Sequence, residues 1–293
     1  MSMPAPVLAA VDPLTADLAP VRFGALVAAH TGAPLLVASV VASDDVVDRL
    51  TGGQFGEDLA RDASAALEGA VEAARAASVT AATLSPGAAS ASRGLAFAAQ
   101  ETGAALLVAG SADGTPAGRT GVGATTARLL DGAPCAVALV SAGWEGARGW
   151  DTVGAAFVDS VEGRAATRGA HVLARGAGAR MRMLAAVRPR AWMDGAADDL
   201  AADLRARAEE SAAGDVADLL GTAVDVDVVL GDPAEVLLAA SGELDLLVCG
   251  ARGYGPEHSA LLGGVTRVIT ARAACPVIVL SRGPGVALEA LAG

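Results

Sequence analysis

A glycine-rich polar segment near the end of the chain has a spacing suited to binding an anion. Between two apolar runs it reads Gly250-x2-Gly253-x9-Gly263-Gly264. Gly250 permits a turn out of the preceding strand, and at Gly253 no Cβ keeps backbone amides away from a ligand. Gly263 and Gly264 open a predicted helix, whose free N–H groups and dipole attract negative charge. The spacing therefore predicts a phosphate-binding loop.

Two side chains of this segment add hydrogen-bond donors. Arg252 offers charge-assisted donors to phosphate oxygens, and Thr266, one turn into the predicted helix, offers a hydroxyl. A glycine loop after a strand also serves, in many proteins, only as a tight turn, and that interpretation stays open here.

An equivalent segment in the first half departs from this spacing. It reads Gly110-x2-Asp113-x9-Gly123-Ala124, so a carboxylate replaces the second glycine. At about 5 Å and an effective dielectric constant near 20, one such charge facing a phosphate costs roughly 3 kcal/mol, which is more than a hundredfold in affinity. Gly114 could take over if the loop shifts by one residue. The spacing predicts a weak or empty first-half site.

The two glycine segments belong to a duplication of the whole chain. Cys135 and Cys275 are 140 residues apart, and a gapless alignment at that offset pairs many other residues. The pairs include Gly110 with Gly250, Pro116 with Pro256, Gly123 with Gly263, Thr126 with Thr266 and Val137 with Val277. Agreement over so long a stretch indicates a tandem repeat. We predict domains over residues 1–143 and 150–293, with Trp144 and Trp150 packed at the seam between them.

The elements that must position these segments follow one order twice. Short apolar runs alternate with Ala-rich helical stretches, among them about Thr15 to His30 and Glu162 to Arg175. Strands alternating with crossover helices predict a parallel sheet covered on both faces. The fold class is therefore α/β, with two tandem doubly wound domains of five strands each. The fifth strands would be sheet edges with apolar faces, able to pair between the domains.

An aspartate follows the first strand of each half. Asp12 and Asp159 are expected at the carboxyl end of the sheet, where ligands bind in open parallel folds. The alternative is that each aspartate only caps the helix that follows it.

These features resemble the universal stress protein family, whose nucleotide loop is written G-x2-G-x9-G followed by Ser or Thr. The similarity covers essentially the whole chain and includes the strand order, the strand-one aspartate and the final "CPV" strand. It implies a Rossmann-like fold of the adenine nucleotide alpha hydrolase type. It also implies that the strand-one aspartate and the end of strand two hold adenosine, while the glycine loop holds ribose and phosphates.

Carried over to this chain, the resemblance implies second-half ligand contacts from Asp159, Val187, Gly250, Gly253, Gly263, Gly264, Val265 and Thr266. The first-half counterparts are Asp12, Val40, Gly110, Gly123 and Thr126. Two departures weaken the match. Gly264 stands where the family has Ser or Thr, at a cost of about 1 kcal/mol for one hydrogen bond, and the usual Gly-Ser after the strand-one aspartate is missing.

The amino-acid composition limits which kinds of molecule the protein is expected to bind. The net charge of −12 disfavours nucleic acid and anionic membranes, and aromatic residues at 3% disfavour stacking on bases. We expect no secretory signal, no transmembrane helix and no metal site. Three cysteines beside apolar runs predict buried free thiols and a cytoplasmic location.

The leading hypothesis is an ATP-binding stress-response regulatory protein, with or without Mg²⁺. It would couple adenine nucleotide occupancy to self-association, as a homodimer or an intrachain domain pair, or to contact with an unknown protein partner. The alternative is a nucleotide-independent interaction scaffold with degenerate sites. A third hypothesis is an adenylating enzyme. Such an enzyme needs a Ser-Gly-Gly-x-Asp-Ser loop after strand one, and the stretches "VDPLTAD" and "VDSVEGR" lack it. No catalytic residue is predicted, although slow ATP hydrolysis stays open.

Overall fold

Two similar α/β units follow one another along the chain. The computed structural model describes residues 3–42, 53–146, 149–187, 198–251, 263–280 and 287–293. The first unit contains β1 (Val7–Ala10), α1 (Ala19–Thr31), β2 (Leu35–Ala38), β3 (Val41–Ala42), α2 (Gln54–Ala76), β4 (Ala81–Leu84), β5 (Gly87–Ala88), α3 (Ala91–Thr102), β6 (Leu106–Gly110), α4 (Ala124–Gly132) and β7 (Ala136–Val140).

The second unit repeats this order. It contains β8 (Thr152–Ala156), α5 (Val161–Ala177), β9 (Arg180–Val187), α6 (Asp198–Leu220), β10 (Asp225–Leu230), α7 (Pro233–Ala240), β11 (Leu246–Gly250), α8 (Gly264–Arg272) and β12 (Val277–Leu280), followed by a 3-10 helix (Leu288–Ala292). Local signals set several boundaries. Asp232 accepts from the Ala234 N–H at 2.9 Å and Pro233 occupies the first helical position of α7.

One ten-stranded sheet runs through both units, in the order β10-β9-β8-β11-β12-β7-β6-β1-β2-β4. Pairs within each unit are parallel, and β3 pairs with β5 in a separate small sheet. At the centre, β7 and β12 pair antiparallel, with Ala138 opposite Ile278. The predicted α/β class and the pairing of the fifth strands are confirmed. Neither fifth strand is an edge, because each covers the other.

Helices cover both faces of this sheet. On one face α1, α2, α5 and α6 bury a core of Ala, Val and Leu, and on the other face α3, α4, α7 and α8 bury a second core. Among the described helices, none has both the length and the apolar character needed to cross a bilayer. All three cysteines are free and buried, as predicted.

Aromatic side chains fill the seam between the units. Phe23 of α1 lies 5.6 Å from Trp144 and 5.8 Å from Trp150, measured between ring centroids. Trp150 also lies 5.1 Å from the ring of His30. The predicted position of both tryptophans at the seam is confirmed. Helix α1 of the first unit therefore packs against the segment that connects the two units.

Candidate functional site

The first half contains a large cleft at the point where the strand order of its sheet changes direction. Strand β1 lies between β2 and β6, so the crevice outside their carboxyl ends is the expected ligand position of such a sheet. The cleft measures about 1090 Å³, and ligand sites commonly measure about 300–1,000 Å³. All five first-half positions implied by the resemblance line it, namely Asp12, Val40, Gly110, Gly123 and Thr126. It has room for a nucleotide.

The cleft is open because α1 begins late. After β1 the chain makes a loop in which the Asp12 carboxylate accepts from the Leu14 N–H at 2.9 Å. Asp17 then accepts from the Ala19 N–H at 3.0 Å, which starts the helix. The predicted start near Thr15 is therefore wrong by about one turn. Asp17, with Pro20 at the second helical position, is a start signal that the sequence analysis missed.

The first-half glycine segment folds into a loop held by its own hydrogen bonds. The Ser111 hydroxyl donates to the Val140 carbonyl at 2.9 Å and accepts from the Gly121 N–H at 3.0 Å. Gly114 carries the left-handed φ of +77° that the turn requires. Asp113, next to it, is exposed and lines the cleft. Asp113 thus lies on the cleft side of the loop, as its position in the motif implies.

Helix α4 begins at the cleft, directly after Gly123, as the glycine spacing predicts. Gly123 precedes the helix and supplies no side-chain cap, so the first-turn N–H groups are left for a ligand or for water. Ala124 and Thr125 line the cleft beside them. The Thr126 hydroxyl, in contrast, donates to the Gly110 carbonyl at 3.3 Å and fastens the helix to the end of β6.

Among the described residues, the first turn of α5 occupies the equivalent crevice of the second half. Helix α5 begins at Val161, two residues after Asp159, whereas α1 begins seven residues after Asp12. Ser160 makes this early start possible, because its hydroxyl accepts from the Gly163 N–H at 3.0 Å. The additional turn of α5 therefore lies where the first half has open space.

Contacts at Gly250 show how close this turn lies. A Cβ added to Gly250 would stand 2.8 Å from the Glu162 Cβ and 3.1 Å from the Glu162 carbonyl carbon. The cavity that remains beside Gly250, as lined by the described residues, measures about 20 Å³. A water needs roughly 10–15 Å³. The missing side chain at Gly250 thus allows the backbone of α5 to approach the end of β11.

The other second-half positions are engaged within the protein. The Asp159 carboxylate accepts from Arg164 at 2.6 Å and 2.9 Å, and this hydrogen bond raises the pKa of the guanidinium. The Val187 carbonyl accepts from the Gly231 N–H at 3.0 Å. The buried Thr266 hydroxyl donates to the Gly250 carbonyl at 2.9 Å, so its proton is not directed at a ligand. Neither Asp12 nor Asp159 caps a helix, because Leu18 is the N-cap residue of α1 and Ser160 is that of α5.

The remaining predicted positions divide into two groups. Gly263 precedes α8 and Gly264 is its first residue, as predicted, and Val265 and Thr266 line the small cavity. Arg252 and Gly253 lie outside the described residues. Among the residues that the structure does describe, no three His, Cys, Asp or Glu side chains are placed to hold a metal ion.

The comparison with family models decides what this duplicated fold is. The model of the universal stress protein family matches residues 3–141 and again residues 150–281. The chain belongs to the universal stress protein family. Each match lies inside one of the two domain ranges predicted from the sequence, and the tandem organisation of this universal stress protein is confirmed. Comparison with curated protein sequences finds no match.

Solved structures share the whole tandem arrangement. A protein of Pseudomonas aeruginosa described as a universal stress protein is 19% identical, with a TM-score of 0.70 over 99% of this chain and 98% of its own. A universal stress protein of Archaeoglobus fulgidus is 18% identical, with a TM-score of 0.69 over 96% of this chain and 100% of its own. At these identities the likeness concerns the fold, and ligands must be argued from this chain's own residues.

Proposed function

We propose that this universal stress protein is a cytoplasmic regulatory protein that binds an adenine nucleotide or nucleoside in its first-half cleft. One observation supports this above the others: the five positions implied for the ligand converge on an open cleft of about 1090 Å³. In the second half, the first turn of α5 occupies the corresponding space. The proposal therefore places the working site in the half whose glycine motif is the less complete.

The walls of the cleft suit the two parts of such a ligand. Val40, Phe55 and Leu14 line the cleft, and the last two are 45% and 76% exposed, so they offer apolar surface to a base. Gly110 and the uncapped start of α4 also line the cleft, and the backbone N–H groups there can meet sugar or phosphate oxygens. Ligand binding, without catalysis, is the role we propose.

A connection from the cleft to the second half supports a regulatory role. The loop that follows β6 borders the cleft, and its Arg119 and Thr120 donate to the main chain at the end of α8. A ligand in the cleft would therefore change the contacts of this loop with α8 between the halves. Through those contacts it would change self-association or the binding of a partner. We propose the seam as the element that responds to the ligand.

Calorimetric titration with adenosine and ATP tests the site with two matched variants. Ala124→Trp places a large ring at the exposed start of α4, inside the cleft. Gly264→Trp makes the same change at the equivalent position of the second half, where the Cβ meets nothing within 4 Å. We expect one site per chain, lost in Ala124→Trp and retained in Gly264→Trp. Thermal melting of each variant controls for folding.

The alternative function is a nucleotide-independent scaffold. It is favoured by the contact of α5 with Gly250 in the second half and by the continuous sheet that joins the halves through β7 and β12. Absence of binding by the wild-type protein to every adenine compound tested would select this alternative. Binding lost only in Gly264→Trp would instead move the site to the second half.

A further inference from the structure

The first-half cleft is strongly acidic. Five aspartates line it, and the described lining residues include no Arg or His. These aspartates are Asp12, Asp17, Asp58, Asp62 and Asp113. Asp58 pairs with Arg61 at 2.8 Å on the exposed side of α2, and the other four make no ion pair with any residue that the structure describes. A ligand in this cleft therefore meets uncompensated negative charge.

Two of these carboxylates flank the start of the glycine loop. Asp113 occupies the position of the second motif glycine and is exposed toward the cleft. From the other side, the Asp17 Oδ2 atom lies 3.7 Å from where a Cβ on Gly110 would stand. The resemblance implies ribose and phosphates in this region. An anionic tail would be repelled there, whereas a cationic or uncharged tail would not.

The carboxylates do not converge on one point. Within the described part of the chain, no three acidic, His or Cys side chains are grouped to hold a metal ion. Their charge is instead distributed along a cleft that also has the apolar wall of Val40 and Phe55. An elongated organic ligand with an apolar planar part and a non-anionic tail fits this distribution.

We infer that the first-half cleft selects an adenosine compound whose 5′ substituent is uncharged or cationic, in preference to a triphosphate. The inference rests on the proposed function and specifies the ligand class of the same site. Because the carboxylates are solvent-accessible, salt screens them, and we expect a preference of at least tenfold at low ionic strength. Asp113 and Asp17 are the residues that determine this preference.

Three probes with the same adenine and sugar rings and different 5′ substituents test the selection on the full-length protein. Titrations with ATP, adenosine and 5′-amino-5′-deoxyadenosine should give affinities that rise in that order. The affinity for 5′-amino-5′-deoxyadenosine should exceed that for ATP at least tenfold. This ratio should decrease as the sodium chloride concentration is raised. Adding Mg²⁺ should strengthen ATP binding alone. Tightest binding by ATP without Mg²⁺ would overturn the inference and leave the proposed function standing.

Variants locate the effect. Asp113→Asn and Asp113→Gly should strengthen ATP binding about tenfold and leave adenosine binding unchanged, because only the charged tail faces this side chain. Asp131→Asn is the matched control: it removes one exposed carboxylate from the same half, outside the cleft. Equal effects of Asp113→Asn and Asp131→Asn would overturn the assignment of Asp113. Binding of none of the three probes would overturn the proposed function, and the inference with it.

Discussion

The main-chain N–H of Thr120, in the first half, donates to the carbonyl of Ala273, in the second half, at 2.9 Å. The hydroxyl of Thr120 also donates to the Ile269 carbonyl at 3.3 Å, and the side chain is fully buried. Arg119 adds a bond to the Arg272 carbonyl at 3.0 Å. The loop that borders the first-half cleft thereby caps the last turn of α8 in the other half.

Replacing Thr120 by Val should weaken the contact between the halves. The variant keeps the side-chain shape but leaves the buried Ile269 carbonyl without this hydroxyl, and we expect the free energy of unfolding to fall by about 1 kcal/mol. Urea denaturation measures it. Thr102→Val is the control, since the Thr102 hydroxyl donates to Ala98 within α3, where water can reach it. An equal decrease in the free energy of unfolding of both variants would show that the Thr120 contact between the halves contributes no more than a hydrogen bond within one helix.

A methyl group added to the first loop glycine should destabilise the second half and leave the first half nearly unchanged. Gly250→Ala brings a Cβ to 2.8 Å from the Glu162 Cβ, and we expect a destabilisation of about 1–3 kcal/mol from overpacking. Gly110→Ala brings its Cβ only to 3.5 Å from the nearest atom, Pro20 Cγ, which is ordinary contact. Thermal melting compares the two. A Gly250→Ala protein as stable as Gly110→Ala would show that α5 does not close the second-half crevice.

Stability should fall in mild acid through His30. Burial lowers the pKa of His30 from its ordinary value of 6.5, so the folded protein favours the neutral ring beside Trp150. The stabilisation is complete above pH 6.5 and is lost as the pH falls from 6.5 toward the lowered folded pKa.

Denaturation at pH 7.5, 6.5 and 5.5 measures this effect, with His30→Gln as the variant that cannot titrate. We expect the unfolding free energy of the variant to decline less over this interval than that of the wild type. His171→Gln should act in the same direction, because burial and the nearby Arg175 lower the pKa of His171 as well. Parallel pH profiles for wild type and His30→Gln would contradict the prediction.

The three thiols should be unreactive in the folded protein. Burial raises the pKa of Cys135, Cys249 and Cys275 to about 12 each, so only about one thiol in ten thousand is ionised at pH 8. Titration with a thiol-specific disulfide reagent at pH 8 should give no fast-reacting group in buffer and three groups in denaturant. A fast-reacting group in the native protein would refute the predicted burial.

Local sequence signals account for much of the secondary structure and for part of the site. The glycines at 123 and 263 precede α4 and α8 as expected, because a residue without a side chain is a common neighbour of a helix start. Asp232 and Pro233 start α7 by the usual capping geometry. Helix α1 begins about one turn later than the sequence predicts. The apolar pattern continues through the preceding loop, and the hydrogen bond from the Ala19 N–H to Asp17 marks where the loop ends.

By itself, the sequence determined that the chain is duplicated, that each half is a doubly wound α/β unit, and which residues stand at the carboxyl edge of each sheet. These follow from repeats, periodicity and caps, which act between near neighbours. Only the tertiary structure decided that the first-half crevice is open and that, among the described residues, α5 occupies the second-half one. That outcome depends on one additional turn of α5 lying against Gly250, a contact between residues 88 positions apart that no local pattern encodes.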